Sequence, residues 1–110
     1  MTQVETVRAT AEEFLARGVA GQQSRAGQSK ARPDAVLLDP PRSGLGKAAA
    51  EHLAALGAPI MVYVSCDPST LARDLGRLMA RGYRLARLRL VDLFPQTFHI
   101  ETIATLHLAA

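Results

Sequence analysis

Two short apolar runs decide the architecture this chain can adopt. "AVLL" (35–38) stops at Asp39-Pro40-Pro41, and "PIMVYV" (59–64) stops at Ser65-Cys66-Asp67-Pro68. Short apolar stretches bounded by turn-forming residues read as buried strands. Each is followed by a helical stretch. "LGKAAAEHLAALG" is rich in alanine and leucine, which predicts a helix over 45–56 with Gly57 and Pro59 as stop signals. "DPSTLARDLGRLMARG" predicts a second helix, with Asp67 as N-cap, Pro68 at the first helical position and Gly82 as the stop. In it Leu71, Leu75, Leu78 and Met79 recur at i, i+4, i+7 and i+8, one apolar stripe. Strands alternating with helices imply a parallel sheet with helices packed on both faces, and near-continuous apolar strands fit such double cover.

The flanking segments extend this pattern. "YRLARLRLVDLF" (83–94) alternates, which places Ala86, Leu88 and Leu90 on one side and Arg87 and Arg89 on the other. "HIETIATLHL" (99–108) also alternates, and no helix separates the two runs, so they should pair antiparallel. Near the start, Thr2 with Glu5 could open one long helix. Alternatively "VETVRA" (4–9) is a strand, and Thr10 with Glu13 is the capping box of a helix over 11–17. The second reading is preferred, because Val, Thr and Val favour strand and Gly18 closes a short helix. Residues 18–34 are polar and rich in Gly, Ser and Gln, and read as a long connection. The expected order is β-α-β-α-β-α-β-β.

With 110 residues the chain fits one domain. Its apolar runs fall far short of the roughly 20 residues a membrane-spanning helix needs. One cysteine excludes an internal disulfide and a cysteine-cluster metal site. With no secretion signal at the start, the expected location is the cytoplasm. Between Pro68 and Leu90 stand six arginines against one acid, Asp74. Arg73, Arg77 and Arg81 would share one side of a helix, as a solvated face or as a phosphate-facing surface.

In open α/β sheets ligands bind outside the carboxyl ends of the strands. "DPPRSG" (39–44) and "SCDPST" (65–70) fall there, and "FPQTFHIET" (94–102) joins the last two strands. Cys66 directly precedes a helix N-cap, where unpaired N–H groups favour the attacking thiolate. The competing reading is a small buried hydrophobe.

"LLDPPRSG" (37–44), "YVSCDPSTLARDL" (63–75) and "VDLFPQTFHIET" (91–102) together resemble three consecutive signatures of RNA uracil-5-methyltransferases. These are S-adenosylmethionine-dependent enzymes that make 5-methyluridine in transfer or ribosomal RNA. The resemblance runs from about Val4 to Leu108. It implies a partial Rossmann-like class I methyltransferase fold with an antiparallel C-terminal strand pair. It also implies Cys66 as the nucleophile that adds to uracil C6, Glu101 as the base that removes the C5 proton, and Asp39 as a contact to S-adenosylmethionine. Thr10 falls where the family places a polar or acidic residue near the cofactor. One departure is Asp67, where asparagine is more usual. Arg42 could bind an anion or pair locally, and His99, two residues before Glu101, reads as support before catalysis.

The family's catalytic domain begins with a glycine-rich cofactor loop and two further strands, which this sequence does not contain, nor the RNA-binding barrel. The expectation is a C-terminal portion of a longer enzyme, inactive alone, with residues 1–34 poorly anchored and 35–110 forming the core. An inactive remnant serving as an RNA or protein interaction module is the alternative. A cysteine hydrolase pairing Cys66 with His99 is disfavoured, since it leaves the DPPR and FPQT loops unexplained.

Overall fold

The computed structural model describes residues 10, 13–16, 32–92 and 100–109. They build four strands and two long helices: β1 (Ala35–Leu38), α1 (Lys47–Leu56), β2 (Ile60–Ser65), α2 (Pro68–Ala80), β3 (Tyr83–Asp92) and β4 (Ile100–Leu108). The strands form one sheet in the order β1-β2-β4-β3. β1 and β2 are parallel neighbours joined through α1. β4 runs antiparallel to both β2 and β3. The crossover through α2 therefore carries the chain past one strand position, and β4 returns to fill it. The antiparallel final pair and the parallel start follow the pattern read from the sequence, and together they make a Rossmann-like α/β sheet.

The core lies on one face of this sheet. Met61, Tyr63 and Ser65 of β2 and Thr102, Ala104 and Leu106 of β4 alternate into it and are all buried. α1 contributes Ala49, Ala50 and Leu53 to the same cluster, and α2 contributes Leu71 and Leu78. α1 lies against α2, and each buried leucine of the cluster stabilises by roughly 1.5–3 kcal/mol. Leu15, from the helical turn at 13–16, joins this cluster. The second face, for which the sequence also predicts helical cover, leaves Leu37 and Ile60 74% and 40% exposed.

Local signals explain the element ends. Gly57 adopts φ 71° past the last turn of α1, and its N–H donates to the Ala54 carbonyl. Asp67 caps α2 through its side chain and Pro68 opens the helix, as expected. Thr10 and Glu13 form the start of a helical turn: the Glu13 N–H donates to Thr10 Oγ1 at 3.1 Å, and that hydroxyl donates to Glu13 Oε1 at 2.9 Å. α1 begins at Lys47, two residues after the expected position, because Gly44 to Gly46 belong to the preceding loop.

Two expectations need correction. Met79 is 47% exposed, and the fully buried Asp74 takes a place in the apolar stripe of α2. Alternation along β3 is also broken by a register shift between Leu85 and Arg87. Past that bulge Leu88 and Leu90 face with Leu85, and Ala86 is the extra residue. The proposed strand at 4–9, most of the 18–34 connection, and the 93–99 turn with His99 lie outside the described residues.

Candidate active site

Cys66 is the first residue past β2, and it is exposed. Its neighbours hold it in place. The buried Ser65 hydroxyl donates to the Asp67 carbonyl at 2.9 Å and accepts from the Asp67 N–H at 3.0 Å. These reciprocal bonds close a short loop around the cysteine at the carboxyl end of the sheet. Asp67 in turn accepts through Oδ1 from the Ser69 N–H (3.0 Å), the Ser69 hydroxyl (2.7 Å) and the Thr70 N–H (3.3 Å). The Ser69 hydroxyl bond is the main cause that holds its carboxyl below the usual range, with the Thr70 N–H next and Arg42 a smaller contributor.

Sheet register brings the other candidates to the same end. Ser65 pairs with Thr102, so Glu101 on β4 comes level with Cys66 one strand away. Neighbouring strands lie about 4.8 Å apart, so the two residues stand on adjacent strands at one end of the sheet. Leu38, the last residue of β1, pairs with Tyr63, and Asp39 follows it on the far side of β2 from Glu101. Asp39, Cys66 and Glu101 thus stand at the ends of three adjacent strands. Thr10 is exposed at its helical turn, where its hydroxyl is engaged with Glu13.

The DPPRSG loop is held by α2, an arrangement the sequence did not reveal. Asp74 Oδ2 accepts from the Leu45 N–H at 2.8 Å and from the Tyr63 hydroxyl at 2.5 Å. Arg73 Nη2 donates to the carbonyls of Ser43 (2.8 Å) and Leu45 (3.0 Å), and its guanidinium pairs with Asp74 Oδ1 at 3.1 Å. The Thr70 hydroxyl lies 3.0 Å from the Arg42 carbonyl. Gly44 has φ 76°, and a Cβ there would meet Asp74 Oδ2 at 2.5 Å and Arg73 Nη2 at 2.8 Å. Only glycine meets both demands without strain. The helix that starts beside Cys66 therefore also fixes the loop that starts at Asp39. Burial, followed by the Asp74 hydrogen bond, pushes the Tyr63 hydroxyl above its ordinary range.

These contacts settle the arginines of α2. Arg73 and Arg77 turn to Asp74 and the Leu45 carbonyl, and Arg81 pairs with Glu51 at 3.4 Å. Engaged in this way, with side chains 43%, 35% and 55% exposed, they fit the solvated face that the sequence offered. The signal for the clamp was present: an aspartate at i+3 from Leu71 and i−4 from Leu78 sits inside an apolar stripe, where a carboxylate needs partners.

Beside the loop runs an open groove of about 610 Å³, lined by Leu37, Asp39, Pro41, Gly44, Lys47 and Arg77 among others. It has the size of a small-molecule site. It borders Asp39 and not Cys66. Among the described residues no cluster of His, Cys, Asp and Glu is arranged to hold a metal ion. Nor is any described helix long and apolar enough to cross a membrane.

The sheet with its loops at the strand ends defines a Rossmann-like methyltransferase scaffold. The profile of tRNA (uracil-5-)-methyltransferases matches residues 1–108, and the chain belongs to that family. An uncharacterized RNA methyltransferase of Streptomyces coelicolor is 52% identical over 77 residues, which are 70% of this chain and 17% of the relative. The 23S rRNA (uracil(1939)-C(5))-methyltransferase of Pseudomonas aeruginosa is 56% identical over 70 residues, 64% of this chain and 15% of the relative. The crystal structure of the Pyrococcus abyssi tRNA (uracil-54, C5)-methyltransferase with S-adenosyl-L-homocysteine superposes with a TM-score of 0.60. It is 41% identical, over 66% of this chain and 18% of that one. The chain thus spans less than a fifth of the length of these relatives.

Proposed function

We propose that this chain supplies the nucleophile, the base and one cofactor contact for methylation of uracil C5 in transfer or ribosomal RNA. The observation that carries this reading is the register that sets Cys66 level with Glu101 at the carboxyl end of the sheet, with Cys66 exposed. S-adenosylmethionine, when bound, supplies the methyl group. The groove beside Asp39 has room for such a molecule, and Asp39 is exposed to it, so the residues fit the cofactor. Thr10 is proposed as a second contact, which requires its hydroxyl to release Glu13.

Uracil C5 is weakly nucleophilic. The Cys66 sulfur forms a bond to C6, the ring electrons move to the C4 carbonyl oxygen, and C5 becomes able to accept the methyl group. Glu101 then takes the C5 proton, the ring double bond re-forms and the sulfur leaves C6 as thiolate. The clamp around Asp74 keeps the two loops in register through both bond changes. The chain alone is proposed to be inactive, its activity depending on the cofactor loop and RNA-binding parts found elsewhere in the family.

RNA containing 5-fluorouridine tests this, presented with S-adenosylmethionine to the chain joined to a family cofactor segment. Fluorine cannot leave as a proton, so a covalent adduct at Cys66 is expected. Cys66→Ala should abolish it, and Glu101→Gln should stall normal turnover after methyl transfer. An adduct that survives Cys66→Ala, or none from the joined enzyme, overturns the proposal. The resemblance of the whole motif set favours this reading over an interaction module.

A further inference from the structure

The β3 strand carries Arg84, Arg87 and Arg89, all exposed. No hydrogen bond or ion pair engages them among the described residues. In a regular strand Arg84 would face opposite to the other two. The bulge between Leu85 and Arg87 changes that. Arg84 stands across from His107, Arg87 from Thr105 and Arg89 from Ile103, alternate positions of β4 that share one face. The next position of that face is Glu101, across from Val91. Three guanidiniums therefore form one row that leads to the carboxylate of the candidate site.

We propose that Arg84, Arg87 and Arg89 bind successive phosphates of a single-stranded RNA and lead it along β3 towards Cys66 and Glu101. This rests on the RNA-methylating reading above. Alternate strand positions lie about 6.8 Å apart, a spacing comparable to that of successive phosphates along an extended strand. Arginine offers a planar fork suited to phosphate oxygens. Charges on an edge strand also discourage edge-to-edge pairing. That task needs no common face, whereas the bulge gathers all three onto the face of Glu101.

The test is the salt dependence of binding between the chain and a uridine-rich single-stranded RNA oligonucleotide, read by fluorescence anisotropy. Each phosphate contact contributes about 0.7 to the slope of log K against log salt on single strands. The triple variant Arg84→Gln, Arg87→Gln, Arg89→Gln should flatten that slope by about 2, and Arg89→Gln alone by about 0.7. The triple lysine variant should keep it. An unchanged slope in both glutamine variants, or no RNA binding by the parent chain at low salt, overturns the proposal. So does tighter binding to poly-glutamate than to RNA, which would point to an acidic protein partner. Fluorouridine adduct formation in the joined enzyme is scored separately. Its failure would sink the methylation chemistry, while the slope still reports on the row.

Discussion

The two sets of arginines, on α2 and on β3, are alike in sequence and opposite in use. Arg73 and Arg77 turn to the buried Asp74 and to the carbonyls of Ser43 and Leu45, and Arg81, at the end of the helix, pairs with Glu51 on the surface. Those of β3 turn outward on one face of an edge strand. The difference teaches that a count of basic residues does not locate a nucleic-acid surface. A guanidinium given acceptors by its own chain is tied to the fold, and one left without them has its whole fork free for a ligand.

Unfolding by urea should separate the sets most widely. Asp74→Ala removes the acceptor shared by Tyr63, Leu45 and Arg73, leaving the buried Tyr63 hydroxyl and Leu45 N–H without a partner and Arg73 without its counter-charge. The expected loss is about 3 kcal/mol or more, and loss of a cooperative transition counts as the same outcome. Replacing Arg84, Arg87 or Arg89 by alanine should shift stability by about 0.5 kcal/mol or less each. Equal losses from the two sets would break the comparison.

Much of the fold was legible. β1 has the limits its apolar run indicated, and the ends of α2 follow from Asp67, Pro68 and Gly82, because cap and turn chemistry is local. The clamp was not legible, since periodicity marks where apolar residues recur and does not say which loop will approach a polar residue among them. Asp74 has its partners 11 and 29 residues away, so only tertiary structure reveals them. The bulge was hidden for a related reason. Alternation predicts faces only while the strand stays regular, and β3 does not. As for the site, Cys66 stood out by its place before a helix cap, whereas Glu101 was an ordinary strand residue apart from the family resemblance. Register adds that it stands level with Cys66 at the carboxyl end of the sheet.

A smaller effect sharpens the picture of the clamp. The Tyr63 hydroxyl is held protonated above its ordinary value of 10.0, first by burial and then by its bond to Asp74. A group whose folded pKa is raised stabilises fully below its unfolded pKa, and that contribution is lost as pH rises past about 10. Tyr63→Phe removes both the bond and the titration. At neutral pH it should cost about 1–2 kcal/mol. The gap between parent and variant, measured by urea unfolding, should narrow above about pH 10. A constant gap would mean that the hydroxyl contributes no proton linkage there.

The smallest effect concerns the N-cap beside the cysteine. Asp67 stands where the resemblance makes asparagine more usual, and its carboxyl is held low, chiefly by the Ser69 hydroxyl. Here the sign is reversed from Tyr63. A depressed folded pKa stabilises above the unfolded value of about 3.9, and the contribution fades as pH falls through the folded value. Asparagine can accept the same Ser69 and Thr70 N–H bonds and carries no charge to lose. Thermal unfolding of the parent and Asp67→Asn should therefore give parallel curves at neutral pH, with the parent losing ground to the variant only below about pH 4. If the two curves stayed together at acid pH, the charge of the carboxylate would not be what ties the helix start to the loop around Cys66. The cap would then be a matter of shape alone, and asparagine its full equal.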